Sequence, residues 1–315
     1  MTSRSRWPSA CGRPRSPDLP AARPEAIDVR AVRAVLRPLP ADAGKDQRGR
    51  VVVVGGSSRY PGALLIACRA ASRCGAGVVT AAAARSVSEA IAGIDPNVTL
   101  FPLAEAQPGA VAVGAAAQLS QFLGERIRAL VIGPGLAHST STDEFVLAVL
   151  RNAKSVPTVV DADGLNALAR SEDGMRSLPA RCILTPHDGE AARLSGQVVP
   201  KGAQRVAFAA RAARDWKCVV VLKGPVTVVS DGKRTLVHDA PNAALGVAGS
   251  GDALSGAIAA FLARGLAPLA AAIAGVWVHG RAGALLAAEI GQSGALATEI
   301  ADALPRALRE VHRGR

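Results

Sequence analysis

Gly249-Ser250-Gly251-Asp252 sets a glycine-flanked hydroxyl and one carboxylate directly before an apolar, alanine-rich run. Glycines leave backbone N–H groups free to face an anion, and a helix starting here adds the positive end of its dipole. This arrangement suits phosphate chemistry. Asp252 stands at the helix start, where a carboxylate either caps the helix or takes a proton from a substrate hydroxyl above the loop. Read alone, capping is the simpler of the two tasks.

The other candidates follow short apolar runs. Gly55-Gly56 follows four valines and leads to Ala63, and Gly133-Pro134-Gly135 follows Ile132. Asp161-Ala162-Asp163 ends a Thr-Val-Val run, and these carboxylates either hold a metal-bound water or cap the next helix, which is the expected role of Asp163. His187 with Asp188 and Glu190 suits binding a sugar hydroxyl or moving a proton, although Glu190 also fits the first turn of a helix begun at Gly189. Lys223-Gly224-Pro225-Val226-Thr227 joins two apolar runs, so Lys223 either reaches a phosphate as a point charge or sits solvated in a hairpin turn. The turn after Val54 matches neither G-x-G-x-x-G nor the P-loop, which argues against a Rossmann dehydrogenase and a P-loop kinase.

These residues need elements to position them. Expected strands are Val51–Val54, Gly77–Ala83, Ala129–Ile132, Thr158–Asp161, Cys182–Thr185, Val219–Leu222 and Thr227–Ser230. Expected helices cover Asp28–Leu36, Gly62–Cys74, Thr142–Arg151 and Leu165–Ala169. Several strands are continuous Val/Ile/Leu runs, as a parallel sheet covered on both faces requires. The fold class is therefore α/β, a three-layer α/β/α sandwich with a mostly parallel central sheet. Ligands of such sheets bind beyond the carboxyl ends of the strands, where Gly55-Gly56, Gly133-Pro134-Gly135, Asp161-Ala162-Asp163, Pro186-His187 and Lys223-Gly224 fall, so one cleft could collect them.

A net charge of +12 invites a nucleic-acid reading, but residues 1–50 carry 11 Lys/Arg against 5 Asp/Glu and residues 306–315 carry 4 against 1. The surplus belongs to the ends, and the single Tyr gives no stacking platform for bases, so no specific nucleic-acid partner is expected. Residues 1–26, rich in Arg and Pro without periodicity, read as a disordered tail before one domain over 27–312. Cys11, Cys68, Cys74, Cys182 and Cys218 are scattered, as buried thiols in a reducing compartment are. The apolar stretch Gly265–Gly280 is too short to span a bilayer and no signal-length run opens the chain, so a cytoplasmic protein with no membrane partner is expected.

Taken in order, Gly55-Gly56 to Ala63, Gly133-Pro134-Gly135-Leu136, Asp161-Ala162-Asp163-Gly164-Leu165-Asn166, Thr185-Pro186-His187-x-Gly189-Glu190, Leu222-Lys223-Gly224 with Thr227, and Gly249-Ser250-Gly251-Asp252 resemble the ADP/ATP-dependent NAD(P)H-hydrate dehydratase family. The resemblance to this ribokinase-like family runs from about residue 28 to about residue 310. It implies dehydration of the S epimer of hydrated NADH or NADPH, with ADP as the expected donor and ATP as the alternative, giving NAD(P)H, a mononucleotide and phosphate. In such enzymes the 6-hydroxyl of the hydrated ring is phosphorylated, and phosphate then leaves by elimination.

Carried over by position, the resemblance makes Asp252 the general base and the amides of Gly249, Ser250 and Gly251 the phosphate loop. Ala63, Gly135, His187 and Asp252 would contact the hydrated dinucleotide. Lys223, Gly224, Pro225, Val226, Thr227 and Gly251 would line the adenine nucleotide. Mg2+ would bridge phosphate oxygens through waters, with no protein metal site. A separate NAD(P)H-hydrate epimerase and a homo-oligomer complete the expectation. Ala137 stands where the family commonly has glycine, Asp188 where it has a small residue or Pro, and Ser250 where Thr is commoner. The rival readings are a kinase of the same superfamily acting on a hydroxylated vitamin precursor, and a non-catalytic nucleotide-binding regulatory protein.

Overall fold

The computed structural model describes residues 24–124, 127–153 and 155–313. Its strands are β1 Glu25–Ala26, β2 Arg50–Val54, β3 Val78–Ala84, β4 Val98–Leu103, β5 Glu105–Gln107, β6 Ala110–Val111, β7 Ala129–Ile132, β8 Thr158–Val160, β9 Cys182–Leu184, β10 Val219–Leu222, β11 Val226–Ser230 and β12 Thr235–Asp239. Ten form one sheet in the order β1-β12-β11-β10-β9-β8-β7-β2-β3-β4, while β5 and β6 make a separate ribbon. In the ten-stranded sheet the run from β10 to β4 is parallel throughout, and the β10–β11 and β11–β12 pairs are antiparallel.

Helices cover the sheet as the apolar runs require. Ser250–Ala263 packs on Pro61–Arg73 and Pro268–Ile290 and lies over β2, β7 and β8. Thr140–Asn152 packs against Ala115–Leu123 and Asp163–Arg170, and Ala203–Trp216 lies over β10 and β11. Val51–Val54 and Leu130–Ile132 are fully buried between these layers. The expected three-layer sandwich with a mostly parallel sheet is the fold found.

Three local expectations change. Glu25–Ala26, read with the tail, form an edge strand parallel to β12, because its unpaired backbone groups need partners. The tail up to residue 23, including Cys11, lies outside the described residues. The apolar stretch expected over Gly265–Gly280 becomes a 23-residue helix, long and apolar enough by composition to cross a membrane, yet 67% of its apolar window is buried inside the protein. Asp163 does not cap its helix. Ala162 holds that position, and the Asp163 carboxylate instead accepts from the Ala137 amide at 2.9 Å and the Asn166 amide group at 3.3 Å.

Candidate active site

The parallel strands bring their carboxyl ends to one edge, and the turns that follow them meet there. Gly56 N donates to Pro134 O at 2.8 Å, joining the turns after β2 and β7. Gly135 packs onto the start of helix Pro61–Arg73 so closely that a Cβ there would lie 2.6 Å from Tyr60 O and 2.9 Å from Ala63 Cβ. Only glycine fits that approach, and it brings Gly135 and Ala63 together.

Helix Ser250–Ala263 begins from Gly249, which takes the left-handed φ of 89° that lets the chain turn tightly into it. Asp252 lies in the first turn and is not the cap. Among the described residues its carboxylate makes no hydrogen bond or ion pair. The loop amides differ from expectation at one place. Ser250 N donates to Val247 O at 3.2 Å, whereas the amides of Gly249, Gly251 and Asp252 have no acceptor among the described residues. Ser250 Oγ also turns inward, 3.0 Å from Nε2 of His279. Burial holds the His279 imidazole down to about 4, so this partner is neutral. Ser250 therefore braces the loop through His279, while the amides of Gly249, Gly251 and Asp252 are left free for an anion.

Lys223, at the end of β10, is not a solvated turn residue. Its Nζ donates to Asp161 Oδ1 at 2.8 Å and lies 3.8 Å from Glu190 Oε2, with the side chain 18% exposed. A Cβ on Gly251 would lie 3.2 Å from the same Nζ, so the ammonium rests against the glycine loop. Burial alone pulls that ammonium down, but the carboxylates of Asp161, Glu190 and Asp252 more than reverse this and hold it above its ordinary value. For Asp252, burial and then the charge of Asp161 push the carboxyl up to about 8, with Lys223 only partly opposing them. A carboxyl so placed is poised to exchange a proton near neutral pH.

His187 caps helix Asp188–Ser195. Its Nδ1 accepts from the amides of Gly189 at 3.0 Å and Glu190 at 3.3 Å, while Glu190 Oε2 accepts from His187 N at 2.8 Å. With Nδ1 accepting, the ring proton sits on Nε2, which lies 3.4 Å from Glu190 Oε1. The first-turn position expected for Glu190 is the one found.

Asp188 does not enter the cleft. It pairs with Arg205, whose guanidinium also donates to the carbonyls of Lys223 at 2.6 Å and Val226 at 3.2 Å. Arg205 thus braces the segment from Lys223 to Thr227 from behind. It had gone unread because its helix, Ala203–Trp216, carries no motif and its partners lie 17 to 21 positions away.

A cavity of about 660 Å³ opens between this segment, the glycine loop and helix Pro268–Ile290. His187, Lys223, Gly224, Pro225, Thr227 and Gly251 line it, as does Asn242, which no motif had marked. Asn242 Oδ1 accepts from Ala244 N at 3.0 Å, but its buried Nδ2 has no partner. Val226, expected among the nucleotide contacts, is turned partly inward in β11 and does not line the cavity. Among the described residues no group of three or more His, Cys, Asp or Glu side chains gathers as metal ligands.

The profile of the NAD(P)H-hydrate dehydratase family matches residues 51–306. An ADP-dependent (S)-NAD(P)H-hydrate dehydratase of Xanthomonas campestris is 39% identical over 297 residues, covering 93% of this chain and 99% of that protein. A bifunctional NAD(P)H-hydrate repair enzyme of Moorella thermoacetica is 39% identical over 86% of this chain but only 51% of its own length, so the chain spans about half of that relative. The ADP/ATP-dependent NAD(P)H-hydrate dehydratase of Bacillus subtilis, crystallised with ATP and Mg2+, superposes with a TM-score of 0.78 at 31% identity, over 92% of this chain and 100% of that one. Turns, loop and sequence thus agree, and the chain belongs to the NAD(P)H-hydrate dehydratase family, on a ribokinase-like fold.

Proposed function

We propose that this protein dehydrates the S epimer of hydrated NADH or NADPH at the expense of ADP, regenerating NAD(P)H and releasing AMP and phosphate. The observation that carries the reading is the unpaired, half-buried carboxylate of Asp252 beside free loop amides and the Lys223 ammonium. Asp252 takes the proton of the 6-hydroxyl as that oxygen attacks the terminal phosphorus and the bond to AMP breaks. The amides of Gly249, Gly251 and Asp252, with Lys223, take up the charge that develops on the phosphoryl oxygens. The C6–O bond then breaks, phosphate leaves with the electron pair, and the neighbouring ring carbon gives up a proton to form the double bond.

Lys223, Gly224, Pro225 and Thr227 with Gly251 hold the adenine nucleotide, in a cavity of a volume usual for such ligands. The unpartnered Asn242 Nδ2 offers a donor to it. Ala63, Gly135 and His187 contact the hydrated dinucleotide. Mg2+ carried with the nucleotide would neutralise phosphate charge. The donor set fits an ion held by phosphate and water, since Asp161 is engaged by Lys223 and Asp252 is needed as the base.

We place the reaction in the cytoplasm, in keeping with the buried, reduced Cys68, Cys74, Cys182 and Cys218. Exposed Ile290 and Leu296, at the end of the long helix, offer apolar surface to a homo-oligomer. A separate epimerase converts the R hydrate to the epimer used here. Product analysis tests the function: AMP, phosphate and NAD(P)H should form in equal amounts from ADP and the hydrate. A stable phosphorylated product of a vitamin precursor, with the hydrate untouched, would instead establish the kinase.

A further inference from the structure

The carboxylate of Asp161, at the end of β8 and 1% exposed, makes both of its side-chain hydrogen bonds to residues of the site. Oδ1 accepts from Lys223 Nζ at 2.8 Å, and Oδ2 accepts from Ser255 Oγ. The same Ser255 hydroxyl lies 3.1 Å from the Gly251 carbonyl oxygen, one turn earlier in the helix. Asp161 therefore stands between the end of β10 and the glycine loop. A buried ion pair is weak evidence for stability, because desolvating two charges consumes much of their attraction and an apolar pair would pack as well. Keeping one at the mouth of the nucleotide cavity points to a task other than holding the fold together.

We propose that Asp161, clamped by Ser255, is a positioning residue that fixes the Lys223 ammonium against the glycine loop, where a transferring phosphoryl group passes. Lys223 alone is a flexible four-carbon stem whose ammonium could follow either nucleotide or solvent. Bonded to Asp161, it is already in place before the nucleotide enters, and the cost of ordering it is met in folding. Asp161 has a second effect through space. The groups facing Asp252 are Asp161, Asp163 and Glu190, all acidic, and Lys223. Removing the charge of Asp161 leaves Lys223 less balanced beside Asp252 and makes Asp252 easier to ionise.

The inference rests on reading the site as a phosphoryl-transfer centre, so its test includes readouts that do not need turnover. Asp161→Asn keeps the shape and removes the charge, Ser255→Ala keeps the charge and removes the clamp, and Lys223→Met removes the ammonium. With the hydrate and ADP, Asp161→Asn should lower kcat by about 100-fold, the scale of a misplaced catalytic group. It should also move the acid limb of the kcat/KM profile to lower pH. Ser255→Ala should lower kcat by about tenfold, a smaller misplacement, and leave that limb where it is. Asp161→Asn combined with Lys223→Met should lose no more than Lys223→Met alone, because the two act as a unit. Titration of the labelled Asp252 carboxyl by NMR should show the same downward move in Asp161→Asn without any substrate.

An acid limb and an NMR titration both unmoved in Asp161→Asn, or losses that multiply in the double variant, would overturn the proposal. Wild type that regenerates no NAD(P)H would count against the proposed function, and the NMR titration together with ADP calorimetry on the variants would still decide the role of Asp161. If Asp161→Asn fails to fold, an undiminished kcat in Ser255→Ala is the overturning result.

Discussion

Asp252 carries a tension between stability and activity that is visible at the level of one carboxyl. Its pKa is raised in the fold from an ordinary 3.8 to about 8, so folding favours the protonated form. Stability from this group is intact at pH below 3.8 and is eroded as pH rises from there to about 8, where the buried carboxyl ionises. Asp252→Asn should therefore raise Tm at pH 8 by roughly 2–4 °C and leave it unchanged at pH 4, as melting at the two pH values would show. The same change should lower kcat by about 100-fold or more while nucleotide binding persists. In the unsubstituted protein, kcat/KM should climb with pH and level off above about 8. Unchanged turnover in Asp252→Asn would remove the base.

Asp252 and Lys223 were legible because their residue types stand in a recognisable order. Arg205 was not, because its importance comes only from reaching the carbonyls of Lys223 and Val226 across the fold. Arg205→Ala should raise KM for ADP about tenfold through a loosened nucleotide segment, with kcat changed far less. Asp188→Ala, which removes a pair whose carboxylate is largely exposed, should do little. Equal effects of the two would mean that Asp188, and not the braced carbonyls, is what Arg205 serves.

Among the elements, the segment after β7 holds the clearest conflict between sequence and backbone. Ala137, where glycine is common in the family, adopts a φ of 58°, and its amide donates to Asp163. A left-handed alanine costs about 1 kcal/mol against glycine, partly returned by the stiffer unfolded chain. Ala137→Gly should therefore be neutral or stabilising by up to about 1 kcal/mol in chemical denaturation. A destabilisation of more than that would mean the methyl group has a packing role.

Strands with continuous Val/Ile/Leu runs were readable to within a residue or two, since burial on both faces leaves no other composition. β12, with Thr235, His238 and Asp239 interrupting Leu236 and Val237, gave no such signal, and β1 exists only because β12 supplies a partner. Helix Ala203–Trp216 escaped because its fully buried positions are largely alanine, with Phe208 the one large apolar side chain among them and Val206 and Trp216 only partly buried. Its apolar periodicity is correspondingly faint.

For the whole molecule, the charge surplus and the catalytic end of the sheet are separate matters. Half of the basic surplus lies before residue 51, while β2, β7, β8, β9 and β10 deliver the site from the body of the chain. Removing residues 1–23 should leave kcat and Tm unchanged. Removing residues 1–28 should lower Tm, because it deletes β1 and the Asp28 side chain that accepts from Ala31 N at 2.8 Å to cap the first helix. A large loss of kcat from the shorter truncation would mean that the segment before Glu25 reaches the cleft.

The most direct test of the central claim is absorbance in the reduced-nicotinamide band after mixing the protein with Mg2+, the S hydrate of NADH and either ADP or ATP. A rise that requires nucleotide, is faster with ADP and is nearly abolished in Asp252→Asn is the predicted result. No rise with either nucleotide, in protein that still binds ADP, would contradict the dehydratase and favour a kinase of the same fold.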